Sequence, residues 1–361
     1  MKFNVFLNVS CVPYNLGSEL RSIRKIKDLS KEISPKTVTK ESVGEDSVGQ
    51  RVDNYLIKRL KYVPKSHIYR LLRSGQVRVN SKRISAQYRL QNNDLVRIPP
   101  VKRHQNSTAC HSNLIKSQII LFDILFHDES LLVINKPAGI AVHGGSGISF
   151  GVIEQLRSQY SDWKFLELVH RLDRETSGVL LLAKKRQVLV ELHQKIRQGA
   201  IRKRYLVLVK GRWRNLKQNV RLPLNKYVTI TGERRVAVVT DACQNIKGMT
   251  AHTIFTLIKS WNNFSLLEAE LKTGRTHQIR VHLAHLGFPI AGDDKYGDFA
   301  LNKQLAKIKC EPSLQRMFLH ASKVDVEHPL SGERMEIEAP LAGDLQAFLD
   351  GLDRVSGEPP G

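Results

Sequence analysis

Asp173 is the residue from which chemistry would start. It stands in His170-Arg171-Leu172-Asp173-Arg174-Glu175-Thr176-Ser177-Gly178, a polar stretch between two apolar segments, residues 165–169 and 179–183. A carboxylate between Arg171 and Arg174 is favoured in its charged form. An ionised carboxylate at the rim of a buried sheet is a place to look for chemistry; a solvated charged loop is the alternative. A second stretch, residues 273–287, carries Arg275, His277, His282 and His285. Arg275 falls at the mouth of an expected helix, where the dipole already favours an anion. The histidines invite a zinc reading, but their spacing is not that of a zincin and no fourth ligand is near, so no metal is expected. The glycine cluster at residues 142–147 lacks both the Lys-Ser/Thr ending of a phosphate loop and the G-x-G-x-x-G order.

The elements that must position these residues can be read from period and punctuation. The flanks of the Asp173 stretch are too short for helices and read as buried strands, with Thr176-Ser177-Gly178 favouring a tight turn. Residues 131–134 form a strand stopped by Asn135-Lys136-Pro137-Ala138-Gly139. Residues 187–198 form a helix with Val188, Leu189, Leu192 and Ile196 as its buried stripe and Gly199 as its stop. Residues 202–211 alternate as a strand, with Tyr205, Val207 and Val209 on one face; by itself Tyr205 is a half-buried strand aromatic. Strands at 252–257 and 264–271 follow. Ile279, Leu283 and Leu286 keep helical spacing, with Thr276 as the cap and Gly287 and Pro289 as the end. Residues 316–321 and 336–340 read as closing strands or a helix edge.

The front of the chain is a separate unit. Residues 52–60 and a segment opened by Pro64 read as two helices, the second closed by Gly75; short strands at 77–79 and 95–98 follow, with Asn80-Ser81 as a turn. Between Gln50 and Arg103 there are 14 Lys and Arg against Asp53 and Asp94, a net of +12. Arg70, Arg73, Arg78, Lys82 and Arg83 would line one surface, the footprint of phosphate binding.

Composition agrees. The 361 residues hold 57 Lys and Arg against 34 Asp and Glu, a formal charge of +23, which asks for a polyanionic partner. No run approaches the ~20 apolar residues of a membrane span, and no basic amphipathic helix stands out, so nucleic acid is favoured over a membrane. Cys11, Cys110, Cys243 and Cys310 form no C-x-x-C pair and read as reduced thiols in a cytoplasmic protein. The N-terminus makes a poor signal peptide. The expected division is a flexible leader (1–45), a basic module (46–103), a linker (104–118), a larger domain (119–345) and a polar tail (346–361).

Two resemblances sharpen this reading. Arg51-Val52-Asp53, residues 66–75 and Val77-Arg78-Val79-Asn80 resemble the alpha-L RNA-binding module, the small domain named after the fourth small-subunit ribosomal protein. Residues 135–139, 170–178 and 274–280, with the strand holding Tyr205, resemble the pseudouridine synthase family that contains the large-subunit ribosomal RNA enzymes. The match spans roughly residues 119 to 345, and no motif position departs from the pattern. The segments 142–147 and 292–297 look most like the RluC type, which modifies several uridines.

The resemblance implies an α+β protein: a helix-helix-strand RNA-binding module, then a catalytic domain on a mixed, mainly antiparallel sheet with flanking helices. It implies a monomer that isomerises uridine in large-subunit ribosomal RNA, alone or in a pre-ribosomal particle, with no cofactor. Asp173 would meet the anomeric region of a flipped nucleotide, by covalent attack or by removing a sugar proton. Arg275 would pair with Asp173, Tyr205 would stack on the uracil, and Arg171 would fill the gap the base leaves.

Overall fold

The structure, a computed structural model, describes residues 38–60, 63–101, 120–144, 151–240, 248–307 and 313–356. Most of the expected leader, the expected linker, Gly145 and Gly147, the four cysteines and the last five residues lie outside these. The chain divides into two units, residues 1–115 and 116–361.

In the first unit β1 (Thr39–Ser42), α1 (Val52–Arg59), α2 (Lys65–Arg73), β2 (Arg78–Val79), β3 (Lys82–Arg83) and β4 (Leu95–Ile98) follow in order. The sheet runs β1-β4-β2-β3. Its core joins Val52, Leu56, Ile68, Leu71 and Leu72 from the helices to Val79, Val96 and Ile98 from the strands. Asn80 and Ser81 both take positive φ, 50° and 66°, in the two-residue hairpin between β2 and β3, a conformation Asn tolerates. One expectation is corrected. The segment 39–42 is a strand paired with β4, not leader. Thr-Lys-Glu-Ser carries little strand signal by itself; a partner more than 50 positions away supplies its hydrogen bonds.

The second unit contains β5 (Asp123–His127), β6 (Leu131–Lys136), α3 (Val152–Gln159), β7 (Glu167–Leu168), β8 (Ser177–Ala183), α4 (Arg186–Gln198) and β9 (Arg202–Lys210). It continues with β10 (Lys217–Val220), β11 (Leu224–Val228), β12 (Arg234–Val238), β13 (Thr253–Ser260), β14 (Phe264–Leu271), α5 (Gln278–His285), α6 (Phe299–Lys307), β15 (Leu319–Glu327), β16 (Arg334–Glu338) and α7 (Gly343–Ser356). The main sheet is ordered β10-β13-β14-β9-β15-β8-β6-β5, with β16 on β15 and β7 on β8. Among the described residues only β8 and β15 pair in parallel. β8 is buried on both faces, as a continuous apolar run requires. Leu180 and Leu182 enter one core layer, and Val179, Leu181 and Ala183 enter the other with Val188 and Leu192 of α4.

Three local expectations change. Of the apolar run 165–169, only Glu167 and Leu168 pair as strand. Ser177 and Gly178 already belong to β8; the turn closes earlier, where Thr176 N–H donates to Asp173 O at 3.2 Å. Gly178 answers a different need: φ is +107°, and a Cβ there would overlap the Ala321 carbonyl of β15. The described part of the expected polar tail belongs to helix α7. Leu345, Phe348, Leu349 and Leu352 make a helical stripe that packs on Leu208, Trp261 and Phe318.

Candidate active site

Asp173 is held by its neighbours. Leu172 turns into the core at 4% exposure, whereas the Asp173 side chain stays 18% exposed. The Arg174 carbonyl accepts Gly139 N–H at 2.9 Å and Lys136 Nζ at 3.1 Å. Lys136 is wholly buried at the end of β6 and also donates to the carbonyls of Pro137 at 2.7 Å and Ile140 at 2.9 Å. Burial lowers its pKa to about 7 against the pull of Glu175 and Asp173. One ammonium thus ties the 136–140 turn to the peptide that follows Asp173. On the other side of Asp173, the His170 Nε2 accepts Leu181 N–H at 3.2 Å.

The facing wall is the start of α5. His277, at the N-cap, takes φ +53° and makes no side-chain cap bond. Thr276 is therefore not the cap. Gln278, 2% exposed, fixes the approach: its Oε1 accepts Arg275 N–H at 3.0 Å and Thr273 Oγ1–H at 2.8 Å, and its Nε2 donates to His252 O at 3.0 Å. Two residues on, Arg280 is buried and points back at the Asp173 loop. Its Nη1 lies 3.3 Å from Asp173 Oδ2, and its Nε and Nη2 each meet Asp293 at 2.7 Å. Burial works against this charge, but Asp293 and then Asp173 offset it and raise the Arg280 pKa. His277 Nε2 is 3.7 Å from Asp173 Oδ2. Burial lowers the His277 pKa despite Asp173, so at neutral pH this is a contact with a neutral imidazole.

The expected pairing of Arg275 with Asp173 is thus replaced. Arg275 donates from Nε to Thr250 O at 3.0 Å, and the guanidinium on Asp173 belongs to Arg280. Arg275 precedes the helix, whereas Arg280 sits on its inner face. The signal was present, since Arg280 ends the 274–280 motif, but the helix start decides which arginine turns inward. The histidines of this segment diverge. His282 is bound between Thr253 Oγ1 and Leu222 O, and His277 Nδ1 is 2.9 Å from the Tyr296 hydroxyl. Among the described residues no group of three or more potential ligands could hold a metal ion.

Between the two walls is a cleft of about 530 Å³, within the usual range of ~300–1,000 Å³ for ligand sites. It brings together Asp173, Tyr205, Arg171 and Arg275. Arg197, Lys203, Lys272 and Arg280 also line it, and Asp173 is the one acid among the lining residues. Tyr205 is 6% exposed on β9, opposite Ala269 of β14, whose small side chain leaves room for the ring. Burial, then Asp173, raises the phenol pKa and keeps it protonated. Arg171 is exposed at the rim.

In the first unit Arg70, Arg73, Arg78, Lys82 and Arg83 are all exposed. Between residues 50 and 101 the two acids face inward. Asp53 takes the Arg51 guanidinium at 2.6 Å, and Asp94 takes Asn80 Nδ2 at 2.7 Å and Gln91 N–H at 2.8 Å. The outward charge is therefore overwhelmingly basic. Arg78 donates to Gly75 O at 3.3 Å, and Arg83 to the Arg73 carbonyl, which spreads these side chains over the helix end and hairpin. Among the described residues no helix is long and apolar enough to cross a membrane.

A mixed sheet that aims a lone carboxylate into a basic, tyrosine-backed cleft is the arrangement of an enzyme acting on nucleic acid, and the comparisons with known proteins say which kind. The family model described as RNA pseudouridylate synthase matches residues 130–285, and the S4 domain model matches residues 50–96. The ribosomal large subunit pseudouridine synthase C of Pasteurella multocida is 48% identical over 312 residues, covering 86% of this chain and 93% of that protein. Its counterpart in Haemophilus influenzae is 46% identical over 312 residues, covering 86% and 94%. The chain belongs to the RNA pseudouridine synthase family, with an S4 domain in front of the catalytic unit. The solved structure of human RNA pseudouridylate synthase domain containing 1 shares the fold, with TM-score 0.52 at 22% identity over 67% of this chain and 97% of that one.

Proposed function

We propose that this protein isomerises uridines of large-subunit ribosomal RNA to pseudouridine, at several positions, by flipping each target into the Asp173 cleft. The relatives' substrate and the basic surface of the S4 unit support the choice of RNA. Extrusion of the nucleotide costs about a few kcal/mol of stacking. The bond from C1′ to N1 then breaks, the uracil turns, and C5 joins C1′. Nothing is oxidised or brought in from outside, so no cofactor is required.

Asp173 meets the sugar, where positive charge develops as in glycoside cleavage. Arg280 orients that carboxylate, and Tyr205 gives the uracil a face to stack on. Arg171 replaces the flipped base with its planar guanidinium. Arg275, anchored through Nε, keeps its outer N–H groups for the RNA backbone, as do Arg70, Arg73, Arg78, Lys82 and Arg83. The partner is ribosomal RNA, free or in a pre-ribosomal particle, and the enzyme acts as a monomer in the cytoplasm.

The observation that carries this reading is the single acid in a cleft otherwise lined by arginine and lysine. Pure RNA binding has no use for a carboxylate there. Two measurements test it: tritium release from RNA labelled at uridine C5 by Asp173→Asn, and pseudouridine mapping in cells with and without the gene. The variant should lose about 10³-fold or more in turnover while holding RNA as before. Full activity of the variant, or loss of transfer RNA sites alone in the deletion strain, would overturn it.

A further inference from the structure

Two buried cations line the cleft, and their surroundings differ. Arg280 is satisfied by Asp173, Asp293 and Asp294. Lys203 is 9% exposed on β9, and among the described residues no hydrogen bond or ion pair engages its ammonium. It lies beneath Gly274, where a Cβ would sit 3.6 Å from its Nζ. By the period of the strand it shares a face with Tyr205, about 7 Å away. Both residues open on the Asp173 cleft.

An ammonium with no protein acceptor, solvated only by the water of a narrow cleft, is held at a cost. It persists where a ligand completes it, as local strain persists at functional sites. The depth of Lys203 says which part of a nucleotide does so. Arg171, Arg197 and Lys272 are exposed at the mouth, where phosphates pass. Lys203, 9% exposed against 6% for Tyr205, lies inside that rim on the same face of β9 as the tyrosine proposed to stack on the base.

We propose that Lys203 binds a carbonyl oxygen of the flipped uracil and stabilises the anion that this ring becomes during the reaction. The assignment rests on the function proposed above. When C1′–N1 breaks, its electron pair stays with the uracil and spreads from N1 onto the carbonyl oxygens; the cationic sugar faces Asp173. The ammonium keeps its protons and donates a charge-assisted hydrogen bond. The ring turns, C5 bonds to C1′, the C5 proton leaves to water, and N1 takes up one proton, so the step is proton-neutral.

The test uses the full-length protein, large-subunit ribosomal RNA transcripts, and the same transcripts with 5-fluorouridine, whose base is the better leaving anion. Wild-type conversion is read first; its absence overturns the reaction and this assignment with it. Lys203→Met should slow single-turnover cleavage of uridine by about 10² to 10³-fold, the usual loss for one donor to a developing anion. On fluorouridine the loss should shrink below about tenfold, because the leaving group then needs less help. RNA affinity should hold within about threefold, and the melting temperature should stay level or rise, since a poorly solvated charge with no protein partner has gone. Lys203→Gln serves if the methionine variant does not fold. Equal slowing on both substrates, a rate within threefold of wild type, or weaker binding with a salt slope reduced by about one, the mark of a phosphate contact, overturns the assignment.

Discussion

Asp293→Asn isolates the contact on which the aim of Arg280 depends. Arg280 Nε and Nη2 each meet an Asp293 oxygen at 2.7 Å, and only Nη1 is left to face Asp173, at 3.3 Å. Asp293 is itself oriented by the N–H groups of Lys295 and Tyr296, at 2.8 and 3.0 Å. The two side chains of the pair are 4% and 1% exposed, so water cannot replace either partner. Asparagine keeps the shape, removes the charge, and sets an amide donor against an arginine donor. Breaking one side of a buried pair costs about 3–5 kcal/mol. The bonds that survive, with Asp173 and Asp294 still present, put the expectation at the low end, about 3 kcal/mol. With a urea slope of roughly 2 kcal/mol per molar, the midpoint should fall by about 1.5 M. An arginine loosened by about an ångström should cost up to about 10²-fold in turnover, with RNA affinity unchanged. Tritium release and filter binding on the same preparation separate the two effects. Asp294→Asn is the control: its side chain is 65% exposed and 3.3 Å away, so less than about 1 kcal/mol and twofold in rate should be lost. If Asp293→Asn behaved like that control, Arg280 would not owe its position to this pair.

Gly178→Ala should cost more than about 2 kcal/mol, because the methyl group would overlap the Ala321 carbonyl and the backbone sits at φ +107°; a urea midpoint near wild type would contradict that close approach. Burial and then the Lys203 charge lower the His170 pKa from 6.5 to about 3. The unfolded chain therefore gains a proton below pH 6.5 that the folded chain refuses until about pH 3, so this term is level above 6.5 and costs about 1.4 kcal/mol per pH unit below it. His170→Gln should flatten that acid slope; an unchanged slope would place the group elsewhere. Deleting residues 1–105 should weaken RNA binding and flatten its dependence on salt more than it alters the fold of the catalytic unit. An unchanged salt slope would rule the S4 unit out as the main phosphate contact.

Local physics made much of this protein legible in one dimension. The strands at 95–98 and 264–271 fell where alternation and turn residues put them. The helix ending at Gln198 stops at Gly199, which takes φ +72° as a stop signal demands. The basic excess before residue 103 needed only counting, whereas the Asp173 stretch read by itself left a solvated loop open and took its meaning from the resemblance. These signals are short-range, carried by neighbours within a turn or two.

Tertiary structure decided what depends on partners far along the chain. It made strand β1 from a segment with no strand signal of its own, and it turned the apparent tail into a helix seated on Trp261 and Phe318. It set the reason for Gly178, which lies in β15 some 140 residues away. Above all it chose Arg280 over Arg275 as the partner of Asp173. Two arginines five positions apart are equivalent in a string of letters. They differ once His277 starts the helix, because Arg280 falls in its first turn and is carried to the buried face, whereas Arg275 stands before the helix and is tied to Thr250 O.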